Sequence, residues 1–214
     1  IANNPHVFEK SLWSDYGYGD AIRVMSLRDE EGNNALSPKG DEDVSDLLLN
    51  AIGGLQASMF ESMAIFAPNP NSYRRFQNKA YAPMSPNWGL NNRTVALRIP
   101  AGSPQAARIE HRVSGADANP YLVLACVLAG MHYGIKNKLD PGDPIVGNGY
   151  EQHGGKIVPR SMISALDRFV EGDIVKEYLG ERFVEVFDIC RRSEYDEFFS
   201  EVTPLEYRWY LDAV

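Results

Sequence analysis

Cysteine is scarce in this chain: only Cys126 and Cys190 occur in 214 residues. They stand far apart and show no metal-ligand spacing. Both fall in half-apolar stretches with helical patterning. The expectation is two buried free thiols, which suits a reducing cytoplasm. Long apolar runs are absent as well. No segment reaches the roughly 18 residues of a membrane-spanning helix, so no membrane is expected as a partner. The opening "IANNPHVFEK" lacks the basic, apolar and cleavage-site order of a signal peptide and does not begin with methionine. The chain is expected to be part of a longer protein. There is no internal repeat and no low-complexity tract.

Positive charge is also in deficit, with 21 Lys and Arg against 29 Asp and Glu and a net charge of −8. That balance argues against a general nucleic-acid binder. The deficit is unevenly spread. From Pro68 to Arg112 the cations are Arg74, Arg75, Lys79, Arg93, Arg98, Arg108 and Arg112, and the only acid is Glu110, so this window carries +6 and the remainder −14. All but one of these cations are arginine, the side chain that grips carboxylate and phosphate with two parallel hydrogen bonds. A cationic island in an acidic chain fits a small anionic ligand better than a polyanion.

What is present suffices for one sizeable core, with 44% of residues hydrophobic. Residues 5–13 read as extended, followed by the turn-rich "SDYGYGD" and the loop "EEGNNALSPKGDED". A helix is expected from near Asp43 through "VSDLLLNAIGGLQASMF", because Leu47, Leu48, Ala51, Ile52 and Leu55 recur at helical spacing. The proline- and amide-rich stretch 67–88 is neither helix nor alternating strand, and loops of that length are often functional. "NRTVALRIP" alternates, with Val95, Leu97 and Ile99 on one face. "NPYLVLACVLAGMHYGIKNKL" reads as a largely buried helix with proline near its start. From Ser161 the chain reads as three or four amphipathic helices. Strands first and helices afterwards indicate an α+β fold.

The stretch "ARIEHRVSGADANPYL" carries the densest signal. Read as a strand, it puts Arg108, Glu110 and Arg112 on one face and Ile109, His111 and Val113 on the other. A surface ladder of ion pairs is one reading. A site in which the carboxylate binds a metal and the arginines bind phosphates is the other. His6 alternates with Val7 and Phe8, the pattern of a structural histidine, and His132 and His153 have no evident partners.

Several motifs together resemble the glutamine synthetase family. They are "NSYRR" (71–75), "NRTVALRIP" (92–100), "RIEHRVSGADANPYLVLA" (108–125) and "LDPGDPIVGNGYE" (139–151), in the family's order. The tail "EYLGERFVEVFDICRRSEYDEFFSEVTPLEYRWYL" resembles the bacterial γ-glutamylpolyamine synthetase branch. "PHVFEKSL" resembles an altered form of the family's His-x-His-x-Ser-Leu strand, with Phe8 at the second histidine and an extra residue before Ser11.

The resemblance implies a glutamine synthetase/guanido kinase-like catalytic domain over residues 1–214, with a curved, mostly antiparallel sheet, packed helices and a helical C-terminal part. The family's smaller N-terminal domain and first catalytic strands would lie before residue 1. It implies an ATP-dependent ligase that phosphorylates the γ-carboxylate of glutamate, after which an amine displaces the phosphate, with Mg2+ or Mn2+ and a ring of arginines neutralising the charge. Glu110 is then a metal ligand and His6 its partner. Arg75 holds glutamate, Arg93 and Arg98 face the phosphates, Arg112 faces the γ-glutamyl phosphate, and Arg108 and Ser11 belong with ATP. The family's flap carries a glutamate that handles ammonium, and Tyr81 stands there in this chain. That change implies an alkylamine or polyamine in place of ammonia. An ammonia-using glutamine synthetase and a non-catalytic structural relative are the alternatives. A cytoplasmic homo-oligomeric ring, a dodecamer, is implied as well.

Overall fold

The computed structural model describes residues 8–12, 22–40, 43–76, 82–152, 154 and 156–211. One five-stranded sheet contains β1 (Phe8–Leu12), β2 (Ile22–Ser26), β3 (Trp88–Leu90), β4 (Leu97–Ile99) and β5 (Ile109–His111), in the order β1-β2-β5-β4-β3. Three pairings are antiparallel and β3–β4 is parallel, as expected for a mostly antiparallel sheet. β2 lies between β1 and β5, although no pattern in its sequence singles it out. The register aligns Lys10, Val24, Glu110, Arg98 and Gly89 in one row across the sheet. The next row holds Ser11, Arg23, His111, Leu97 and Trp88.

In that second row Arg23, His111, Leu97 and Trp88 are buried on the core side of the sheet. Ile109, His111 and Val113 are fully buried, and the His111 ring packs on Phe66 with centroids 4.6 Å apart. Phe66 ends α1 (Asp46–Phe66), which begins at Asp46, a little after the expected start. The Ser45 side chain sets that start by accepting from Leu48 N, an N-cap that satisfies one of the helix's free donors. α2 (Pro120–Asn137) follows the β5 turn, with Pro120 in its first turn and Asn119 as cap.

α1 and α2 cross at glycines. A methyl group on Gly54 would lie 2.0 Å from Gly130 O, and one on Gly134 would lie 2.1 Å from Asn50 O. Only hydrogen fits at this crossing, which lets the backbones touch. Cys126 of α2 is buried and its thiol is pushed up to about 12 by burial, partly opposed by the nearby Ser62 hydroxyl.

The C-terminal part contains α3 (Met162–Glu171), α4 (Asp173–Leu179), α5 (Glu181–Ser200) and α6 (Pro204–Tyr210). Glu61 of α1 accepts from Ile174 N and Val175 N at 2.9 and 3.1 Å and so caps α4 from a distant part of the chain. α5 has one fully buried residue, Val184, and Cys190 on the same helix is exposed. The expectation of two buried thiols therefore fails for Cys190: α5 packs along one narrow stripe, and its apolar residues outside that stripe meet solvent. Among the described residues, no helix is long and apolar enough to cross a membrane.

Candidate active site

The first row of the sheet brings the densest group of predicted residues together. Glu110 accepts from Arg98 Nη1 at 2.8 Å, with the two side chains 10% and 13% exposed. This pair crosses from β5 to β4, where Arg98 and Glu110 are register partners. The carboxylate therefore does not pair along its own strand with Arg108 or Arg112. Residues two apart on a strand are separated by about 6.8 Å, whereas opposite residues on paired strands have Cβ atoms about 5 Å apart. The geometry of the ladder selects the cross-strand arginine.

Arg98 is held from its other side by Asn91, whose Oδ1 accepts from Nη2 at 2.7 Å. Asn91 adopts positive φ (46°), a conformation asparagine tolerates better than most residues. The guanidinium is thus clamped between an amide and a carboxylate. Its Nε is buried with no hydrogen-bond partner among the described residues, and the same holds for Nε of Arg112. Arg108 donates to Ala106 O, and Arg93 is exposed in the loop between β3 and β4. None of Arg93, Arg108 and Arg112 has a carboxylate partner among the described residues. One carboxylate among four arginines leaves positive charge that an external anion would neutralise.

The loop bearing Arg93 is braced by neighbours that sequence reasoning missed. Asn92 Nδ2 donates to Ile145 O and Gly147 O at 3.1 and 2.9 Å, and its Oδ1 accepts from Thr94 N and the Thr94 hydroxyl. Thr94 Oγ1 in turn accepts from Gly149 N at 2.7 Å. Asn91, Arg93 and Ile145 share the lining of a cavity of about 500 Å³ beside this loop. The "LDPGDPIVGNGYE" segment therefore supports the arginine loop from outside the sheet. A dense run of Asn and Thr at loop positions was the available signal.

Arg75 ends a 3-10 turn, Pro70–Arg75, inside the stretch read as a loop. Its Nη2 donates to Val113 O and Phe66 O at 2.5 and 3.5 Å, and its Cζ lies 4.4 Å above the Phe76 ring. It thus sits where β5 leads out toward α2 and α1 ends. Behind the Glu110 row, His111 is held neutral: burial first, then the Arg23 and Arg75 charges, push it down to about 3. Neither ring nitrogen has a hydrogen-bond partner among the described residues. Arg23, 4% exposed and in register with His111, carried no signal in the sequence because its strand was not visible there.

Ser11 falls in the register row of Arg23 and His111, one residue out of step with Glu110. His6 and Tyr81 lie outside the described residues. Among the described residues, no three His, Cys, Asp or Glu side chains cluster to hold a metal. Glu110 offers one carboxylate. Mg2+ commonly takes one or two carboxylates and fills its other positions with water and substrate phosphates, so the donor set fits part of such a site.

A sheet carrying a clamped Arg–Glu pair, further arginines at the two ends of β5 and in a neighbouring loop, and a helical C-terminal half is an α+β catalytic architecture. The chain belongs to the glutamine synthetase family: residues 10–210 match the glutamine synthetase catalytic domain. Gamma-glutamylputrescine synthetase PuuA of Escherichia coli (strain K12) is 46% identical over 195 residues, covering 91% of this chain and 41% of that protein. Type-1 glutamine synthetase 2 of Dictyostelium discoideum is 39% identical over 188 residues, covering 86% of this chain and 36% of that protein. A solved structure of GmaS without ligand superposes with a TM-score of 0.78 at 28% identity, covering 90% of this chain and 45% of that one. The chain spans less than half the length of each of these proteins.

Proposed function

We propose that this chain is the C-terminal catalytic part of an ATP-dependent ligase that joins the γ-carboxylate of glutamate to an alkylamine or polyamine through a γ-glutamyl phosphate. The observation that carries this reading is the Arg98–Glu110 pair, set at 2.8 Å near Arg93, Arg108 and Arg112, which have no carboxylate partner among the described residues. The family membership and the 46% identity to a γ-glutamylputrescine synthetase support it.

In this reading Arg93 and Arg98 bind the ATP phosphates, and Arg112 stabilises the γ-phosphoryl group as it passes to glutamate. Arg75 binds a glutamate carboxylate and Arg108 lies against the nucleotide; Ser11, a register row away from Glu110, is left without a role here. Glu110, with His6 as partner, would hold Mg2+ or Mn2+, which when bound neutralises phosphate charge and draws electron density from the phosphorus. The clamp of Asn91 and Glu110 on Arg98 keeps that cation oriented before substrate arrives, so little reorganisation is needed during the reaction. Tyr81, by its place in the sequence, takes the amine-handling role. A phenol attracts ammonium less than a carboxylate does, while its ring offers apolar and cation–π contact to an alkylammonium. A cytoplasmic homo-oligomeric ring completes the reading and rests on the family membership.

The test uses the full-length protein with glutamate and ATP, following phosphate release with a diamine, a monoalkylamine and ammonium. The wild type is expected to turn over the alkylamines fastest, and Tyr81→Glu to shift the preference toward ammonium. A wild type that prefers ammonium makes the protein a glutamine synthetase. Release with none of the amines makes it a non-catalytic relative.

A further inference from the structure

A second cavity of about 500 Å³ lies on the helical side, between the turn Pro70–Arg75, the start of α3 and the end of α5. None of the residues in the Glu110 row lines it. Two aromatic pairs flank it. Tyr73 and Phe76 have ring centroids 6.2 Å apart on the turn side, and Tyr195 and Phe199 have theirs 4.4 Å apart on α5. Arg74 and Arg160 also line it, and neither has an ion pair or hydrogen bond to its side chain among the described residues. Tyr73 is 6% exposed, and its hydroxyl is buried without a hydrogen-bond partner there. The first turn of α3, whose positive end favours anions, closes the cavity at Ser161 and Met162.

These groups share one chemistry. Aromatic walls on two sides accept a flat apolar body, and two guanidiniums without carboxylate partners ask for an anion attached to it. We propose that this cavity is a binding site for a small aromatic anion, an aryl carboxylate or aryl phosphate, whose ring lies between the two aromatic pairs and whose charge meets Arg74 and Arg160. Neither half of such a ligand suffices: an inorganic anion leaves the aromatic walls wet, and a neutral aryl compound leaves both cations unpaired.

The test is calorimetric titration of the full-length protein with phenyl phosphate, benzoate, benzyl alcohol and inorganic phosphate. Phenyl phosphate or benzoate is expected to bind at one site per chain, at least tenfold more tightly than benzyl alcohol or inorganic phosphate. Arg74→Gln and Arg160→Gln, both at exposed positions, are each expected to weaken that binding about tenfold or more, since each removes a charge-assisted contact. Arg112→Gln is expected to leave it unchanged. The relative strength of the two aryl anions distinguishes a phosphate site from a carboxylate site. Binding that survives both cavity variants but falls with Arg112→Gln would place the anion at the Glu110 face and overturn the proposal. Equal binding of benzyl alcohol would overturn it too, because the charge would then contribute nothing.

Discussion

In the sheet, Arg98 and Glu110 meet at 2.8 Å with about a tenth of each side chain in solvent; on α5, Arg182 and Glu185 meet at 3.0 Å with 84% and 60% exposed. The distances are nearly equal and the consequences are not. Around the sheet pair, protein replaces water, so each charge depends on the other for its solvation and removal of one strands its partner. Around the helical pair, water solvates both ions whether or not they touch, and the attraction is small. Arg191–Glu194 and Arg168–Glu171 repeat the helical arrangement at a spacing of three residues. Counting ion pairs would rank the C-terminal helices as the electrostatic centre of this molecule. Burial ranks the sheet first.

Glu110→Gln in the full-length protein should break the comparison most sharply. We expect the proposed ligase activity to fall on the order of 10³-fold, because several kcal/mol of charge stabilisation is lost, and we expect a fall in melting temperature because Arg98 loses its anion. Adding Arg98→Gln should recover stability, since the stranded cation is gone, without recovering phosphate release. Activity returning in the double variant would make the pair structural alone.

A smaller effect is expected on the helical side. Arg192 bridges Asp188 of α5 at 2.9 Å and Asp167 of α3 at 2.7 Å, with 35% of its side chain exposed. Arg192→Ala should cost about 1 kcal/mol in denaturant unfolding, the upper end for surface pairs, because it joins two helices. A cost equal to that of Glu110→Gln would erase the distinction between the two regions.

The smallest effect concerns Glu61, half-buried between α1 and α4. Burial holds its carboxyl above the usual 4.5, although the N–H groups of Val175 and Ile174 pull it down. The charged form is therefore disfavoured by folding. As pH rises from below 4.5, the unfolded chain releases this proton first, so stability falls through the window just above that value. Melting temperatures of wild type and Glu61→Gln across pH 4–7 should show the wild type gaining relative to the variant as pH falls. A difference that stays flat with pH would mean the hydrogen bonds from Ile174 and Val175 cancel the effect of burial, and one of opposite slope that they outweigh it.

Much of the architecture was legible in local pattern. Of the alternation around β5, Ile109, His111 and Val113 are fully buried and Arg108 and Arg112 are partly exposed, while Glu110, paired with Arg98, is buried as well. The helix with Pro120 in its first turn and the four C-terminal helices form where spacing places them. β2 and β3 were not legible. β2 mixes arginine and serine with apolar residues, and β3 has three residues, too few to alternate. Each is a strand because a neighbour supplies its hydrogen bonds. The buried Arg23 was hidden for the same reason.

By itself the sequence determined which residues are chemically fit for the site: one carboxylate in a window of arginines, on a strand whose pleat turns Arg108, Glu110 and Arg112 to one side. Charge and side-chain period are local properties and survive in the unfolded chain. Only the tertiary structure decided the partnerships. Glu110 pairs with Arg98, twelve residues away in sequence, because β4 lies antiparallel beside β5 and sets them opposite each other. Asn91 becomes a clamp only when the β3–β4 loop folds back on Arg98, and Arg74 and Arg160 share a cavity only because α3 packs near the turn that carries Arg74. Partners are chosen by distance in space, and a residue's neighbours in the chain do not specify it.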